Sequence, residues 1–310
     1  MNPQTVTTLQ GIWNACGPNS GRRPLHRFWV FSDLQQSDPK NARQCMHTGV
    51  EDFLSLGLEV DAVCYLGDST EGTNLAHLHE MAAMQVEALA RVDAPVYYTM
   101  GNHEMDYLRH SGAADFLHIP MREHILREPQ WHTTHRAEDW TFTADFGDLV
   151  LFFFSDHVAP DGSWCTTHCH LQNPNHVPNP HDDGTACAEA LRRLAAVDRP
   201  FFTFSHYAFP GGNRDDEGPL QRELLPLPDN SVAHFYGHSH IGDAYWGKEN
   251  VFRQISAINN SRVTQFDIAS LENRRGSTVR SAILEWYGGH HYGVFFRDHM
   301  AHDWEKMYIQ

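Results

Sequence analysis

The chain has 310 residues, of which 41% are apolar, and a formal net charge of −16. That length allows one large domain with a substantial core, and the lack of a Lys/Arg run argues against duplex nucleic acid, whose binding rests on neutralising phosphates. No window reaches the roughly 18 uncharged apolar residues of a membrane span, and the N-terminal "MNPQTVTTLQGIWNACG" shows no basic stretch leading into an apolar one, so a cytoplasmic protein is expected.

In chain order, "HRFWVFSDLQQSDP" begins with a strand buried on both faces from Phe28 that stops at Asp33, with Gln35 two places on. "NARQCMHTGVEDFLSLGLEVD" has helical apolar spacing, and "AVCYLGD" is a second strand, with Cys64 as a small core residue and Asp68 at its end. "LAHLHEMAAMQVEALARVD" is rich in helix formers, and "VYYTMGNHE" is a strand that delivers Asn102, His103 and Glu104. "DWTFTADFG" and "DLVLFFFSD", separated by a Gly-Asp turn, predict a hairpin. "CAEALRRLAAVDRP" predicts a helix stopped by Pro200. "FFTFSH" ends on His206 and "AHFYGHSH" on His238 and His240, and two later apolar runs predict further β structure around a "GGHHYG" turn. Alternating strands and helices imply βαβ units, a mostly parallel sheet, and two packed sheets with helices outside. No linker or composition break divides the chain, so a single domain over 1–310 is expected.

In parallel sheets ligands bind beyond the carboxyl ends of strands, where all five of these polar tips fall. Taken one at a time, Asp33 reads as a cap, Asn102 as a turn residue and His206 as a core imidazole. Taken together, Asp33, Asp68, Asn102, His206, His238 and His240 form a mixed oxygen and nitrogen set suited to Mn, Fe, Zn or Co. The 23 histidines of the chain fit the same reading, since imidazole is the commonest metal ligand. His238 and His240 share a face if their segment is extended. Gly67, Gly101 and Gly237 each precede a candidate ligand and permit tight backbone geometry there.

The ordered motifs "D-x-Q", "GDSTE", "GNHE", "SH" and "GHSH" resemble those of the calcineurin-like metallophosphoesterases. The resemblance implies a two-sheet β-sandwich flanked by helices, two divalent ions (Mn, Fe or Zn), and metal-dependent hydrolysis of a small phosphorylated substrate. That substrate could be a phosphodiester, a phosphomonoester or a nucleotide. Carried over residue by residue, it implies that Asp68 bridges the ions. Asp33 and His240 would hold the first, and Asn102, His206 and His238 the second. His103 would protonate the leaving oxygen, Glu104 would orient His103, and a hydroxide activated by the two ions would attack phosphorus. The chain departs from the pattern at Gln35, where the family usually has His. The purple acid phosphatase branch instead uses a Tyr at the place of Glu71. Gln35, through its side-chain oxygen, or Glu71 would then complete the first site. The rival reading is a non-catalytic metal-binding scaffold on the same fold, for which His103 would have no use.

The turn-rich segment at 157–185 is expected to be an inserted, substrate-facing loop. Cys165, His168, Cys169, His170 and Cys187 offer a structural metal site as the alternative, with spacing that matches no standard zinc pattern.

Overall fold

The structure is a computed structural model that describes residues 23–71, 75–104, 107, 119–133, 141–154, 164–165, 176–177, 192–210, 226–240, 252–256, 262–274 and 277–310. The first half contains β1 (His26–Phe31), α1 (Pro39–Ser55), β2 (Ala62–Tyr65), α2 (Leu78–Leu89), β3 (Val96–Tyr98), α3 (Pro120–Ile125) and β4 (Trp131–His132). Next come β5 (Thr141–Asp145), β6 (Val150–Phe154), β7 (Trp164–Cys165), β8 (His176–Val177), β9 (Phe201–Phe204) and β10 (Ser231–Tyr236). The chain closes with β11 (Phe252–Ser256), β12 (Arg262–Asp267), β13 (Arg280–Gly288), β14 (His291–Asp298) and β15 (Asp303–Ile309).

Of the two large sheets, one has the order β15-β14-β13-β1-β2-β3-β4 and the other β11-β12-β10-β9-β6-β5, while β7 and β8 form a separate two-stranded pair. Strands β1 to β4 run parallel, as do β6, β9, β10 and β12 in the second sheet. The predicted hairpin is β5 against β6, antiparallel. Each sheet is covered on both sides, which is why its central strands read as unbroken apolar runs. Phe28, Val30, Ala62 and Cys64 pack against Phe153, Phe202, Phe204 and Phe235 of the other sheet. Trp29, Phe31, Val63 and Tyr65 face the opposite way, onto α1, α2 and α3. On the far side of the second sheet, Phe152, Phe154 and Phe201 pack with Leu194, from the helical residues 192–195. The architecture is therefore the two-sheet sandwich with helices outside.

Helix α1 starts two residues before the run that predicts it. Asp38 caps it by accepting from the Lys40 amide at 3.2 Å, and Pro39 occupies the first turn, where no N–H is needed. Strand β15 was not foreseen. It is a sheet edge, half exposed along most of its length, and Glu305 and Lys306 interrupt the apolar pattern that marks a buried strand.

Helix α1 is tied to the first sheet by a buried carboxylate. Asp52 accepts from Arg297 Nη2 at 2.8 Å, His299 Nδ1 at 2.8 Å and His302 Nδ1 at 2.6 Å. His299 Nε2 lies 2.7 Å from Ser281 Oγ, which also takes the Trp29 indole N–H at 2.8 Å. The Asp-His-Ser order is that of a hydrolytic triad, but Ser281 and His299 are buried and Ser281 is occupied by Trp29, so the network is structural. Burial opposes the charged carboxylate, yet the bonds from Arg297, His299 and His302 hold its pKa below the ordinary value. The resulting stability is present above the unfolded-state pKa and is lost as pH falls through the lower folded value. Asp52→Asn, which leaves Arg297 buried beside a neutral amide, should cost about 3–5 kcal/mol in denaturant unfolding and flatten the acid limb of the stability profile.

Candidate metal centre

The carboxyl ends of β1, β2, β3, β9 and β10 meet at one edge of the sandwich. Asp33 follows β1, Asp68 follows β2, Asn102 to Glu104 form a helical turn beyond β3, His206 follows β9, and His238 and His240 follow β10. All are buried except His238, which is partly exposed. Among the described residues six non-glycine residues have positive φ, and four of these are Asp33 (56°), Asp68 (50°), His238 (65°) and His240 (44°). Such left-handed backbone is costly and gathers at functional sites. It also corrects one expectation. The segment after β10 is not extended, so His238 and His240 do not share a face but turn into two different groups.

Those groups meet at Asp68. Ligand atoms of Asp68, His206 and His238 lie within 4.8 Å of one another, and so do those of Asp33, Asp68 and His240. In the first of these groups His206 Nε2 is 3.2 Å from Asp68 Oδ2, 3.1 Å from Asn102 Oδ1 and 3.2 Å from His238 Nδ1. Donors around an ion at about 2.0–2.2 Å stand roughly 3 Å apart, so this spacing fits a divalent cation. In the second group His240 Nε2 is 3.0 Å from Asp33 Oδ1. Each carboxylate keeps one oxygen occupied by a backbone amide, His238 N to Asp33 Oδ2 and His103 N to Asp68 Oδ1, both at 2.9 Å. The other oxygens, Asp33 Oδ1 and Asp68 Oδ2, are buried with no backbone donor and face only histidine nitrogens.

Histidine tautomers follow from their second nitrogens. His206 Nδ1 lies 2.8 Å from the Leu66 carbonyl, which can only accept, so Nδ1 carries a proton and Nε2 is the nitrogen turned to Asp68, Asn102 and His238. Burial opposes protonation of His206, but Asp68 and then Asp33 outweigh it and raise its pKa to about 10. His240 behaves alike, raised to about 9 by Asp33 and Glu272 against its burial. His234, in β10 itself and away from these carboxylates, is instead pushed down to about 3 by burial. The strand-tip edge is thus built for positive charge.

Two residues take parts that the motifs did not suggest. Glu104 is expected to orient His103, and its carboxylate also accepts from the Asp68 amide at 2.9 Å, the Gly101 amide at 2.6 Å, and the amide and hydroxyl of Ser69 at 2.7 and 2.6 Å. It clamps the Asp68 loop to the β3 tip. The His103 ring has its Nδ1 2.8 Å from the Glu71 carbonyl. Glu272, beyond β12, lies 2.7 Å from His240 Nδ1. It follows a sixth strand tip, a position the sequence offers in "VTQFDIASLENRRG" without any histidine motif to mark it.

A family model for calcineurin-like phosphoesterases matches residues 26–242, spanning the tips of β1, β2, β3, β9 and β10. The chain belongs to the calcineurin-like phosphoesterase family. This phosphoesterase is accordingly a phosphoric ester hydrolase with a dinuclear divalent metal centre. Among solved structures it is similar to a dimetal phosphatase from Danio rerio, at 12% identity and a TM-score of 0.58, over 89% of this chain and 96% of that one. It is also similar to the purple acid phosphatase PPD1 from yellow lupin, at 12% identity and a TM-score of 0.55, over 93% of this chain and 54% of that one. At such identities both likenesses concern the fold. No curated protein matches the chain in sequence.

At the family's departure point, Gln35 is fully buried and neither side-chain amide atom has a hydrogen-bond partner. The Glu71 carboxylate is engaged, 2.8 Å from Arg274 Nη2. The Cys/His-rich segment and Cys187 lie outside the described residues, apart from the backbone of β7 and β8, where Cys165 pairs with His176. If Gln35 supplies its amide oxygen to the first ion, Gln35→His should tighten that site alone and shift it from manganese towards zinc, because imidazole is the softer donor. Paired metal titrations of wild type and variant check this, and two equally tight sites unchanged by the substitution would exclude Gln35 as a ligand.

Proposed function

We propose that the protein hydrolyses a small phosphorylated substrate at the five strand tips, with Asp33, Gln35, Asp68 and His240 holding a first cation and Asp68, Asn102, His206 and His238 a second. The observation that carries this is the position of Asp68, common to two separate donor groups. Bound there, two cations supply Lewis acidity towards the phosphoryl oxygens and acidify a water. The protein's own residues do the rest. Asp68 and Asp33 are each held by a backbone amide on one oxygen, and the other oxygen of each would serve the cations. Glu104 fixes the loop that presents Asp68.

His103 is the general acid. Its amide is bonded to Asp68 and its Nδ1 to the Glu71 carbonyl, so its ring is set relative to the cations and Nε2 can carry a proton to the departing oxygen. A non-catalytic scaffold would have no use for this arrangement. The neutral, hard oxygen of Gln35 favours manganese over zinc in the first site. The chain acts as one domain, in the cytoplasm, on a small phosphorylated ester rather than a nucleic-acid duplex, the last in keeping with its net charge of −16.

Metal-stripped protein reconstituted with manganese, and assayed on phosphomonoesters, phosphodiesters and nucleotides, tests the reading. His103→Ala should lower turnover by about 10²–10⁴ with metal content unchanged, and esters with good leaving groups should suffer least. Loss of metal with activity would make His103 a ligand instead.

A further inference from the structure

We propose that Arg274 is a positioning residue that couples the first metal site to the leaving-group histidine. The inference rests on the functional reading above and extends it to a residue outside the family match, which ends at 242. The Arg274 guanidinium reaches three ways. Its Nε lies 2.5 Å from Glu272 Oε2, and its Nη2 lies 2.8 Å from Glu71 Oε2 and also meets the Gln35 backbone carbonyl.

Each contact leads to the centre by one further step. Glu272 is fully buried and stands 2.7 Å from His240 Nδ1, so it holds that ring with Nε2 towards Asp33. Glu71 presents the carbonyl that takes His103 Nδ1 at 2.8 Å. Gln35 carries the buried amide of the first site. One cation outside the centre therefore touches the supports of both a ligand pair and the general acid.

Chemistry and anchoring fit the role. Glu272 and Glu71 stand on different nitrogens of a rigid planar fork, which a lysine ammonium cannot reproduce. The guanidinium also compensates the buried Glu272 charge, which would otherwise add to Asp33 and Asp68. The loop that carries Arg274 is itself fixed. Leu271 N bonds the Ser32 carbonyl at 2.8 Å beside the β1 tip, and Ser277 Oγ caps the Glu272 and Arg274 carbonyls at 3.1 and 2.7 Å.

The two arms separate experimentally. Metal-stripped wild type, Arg274→Ala, Arg274→Lys, Glu272→Gln and Glu71→Ala are titrated with manganese by calorimetry and assayed on aryl phosphate esters of graded leaving group. The first site is the one that responds to Gln35→His. Glu272→Gln should weaken that site by about 10–100-fold, leave the other within about threefold, and leave the dependence on leaving group unchanged. Glu71→Ala should steepen the dependence on leaving group with both affinities kept. Arg274→Ala should do both, and Arg274→Lys should recover only part of each. Equal weakening of the two sites by Arg274→Ala, or no change in either readout in a variant with wild-type circular dichroism, overturns the proposal. A wild type that binds two ions and hydrolyses no ester would sink the functional reading, while the calorimetric arm would still decide the metal half of this inference.

Discussion

Asp33 and Asp68 are two buried carboxylates brought together at the meeting point of two sheets, and each must be compensated there. A buried charge without a partner costs several kcal/mol, so neither can be left facing protein alone. Backbone amides take one oxygen of each. The amide on Asp33 comes from His238 on the opposite sheet, and the amide on Asp68 from His103 beyond β3. The remaining oxygen of each faces a histidine, His240 for Asp33 and His206 for Asp68, and both rings register the negative charge in raised affinity for protons. Around this pair the remaining polar residues fall into place. Glu104 secures the Asp68 loop, Leu66 fixes the His206 tautomer, and Glu272 with Arg274 supports His240.

The backbone is shaped by the same demand. Turning these four side chains inward requires left-handed conformations at Asp33, Asp68, His238 and His240, each costing on the order of 1–3 kcal/mol for a residue with a side chain. The sandwich tolerates this because its two apolar layers and the amide bonds at the tips determine the turns from both sides. Close approach adds a second condition. A Cβ on Gly237 would overlap Ser32 and Asp33, and one on Gly101 would overlap the Asp68 carboxylate. The result is a cradle held by rigid strand ends rather than by mobile loops.

Much of this was legible in the sequence, for a physical reason. Strands buried on both faces must be continuous apolar runs, so a polar residue that ends such a run announces the strand tip, and "FWVFSD" to "AHFYGHSH" did so five times. The engagement of the Glu71 carboxylate was not legible, because its partner Arg274 lies some 200 residues further along the chain. Glu272 was hidden likewise: its role comes from β12 lying beside β10, a pairing that no local pattern encodes. The left-handed turn at His238 and His240 escaped too, since alternation in "GHSH" reads equally as extended chain. Strand β15 was missed because an edge strand keeps a polar face, and the bonds of Glu104 to the Asp68 loop escaped because a motif gives adjacency and not the direction of a side chain.

The central claim is that one carboxylate serves two cations, and metal stoichiometry in Asp68→Asn tests it most directly. Manganese titration of metal-stripped wild type should give about two ions per chain. The variant, checked for wild-type circular dichroism, should lose both high-affinity sites together, because each donor group is left without its shared negative oxygen. Retention of one ion at wild-type affinity would contradict the account, since Asp68 would then belong to a single site.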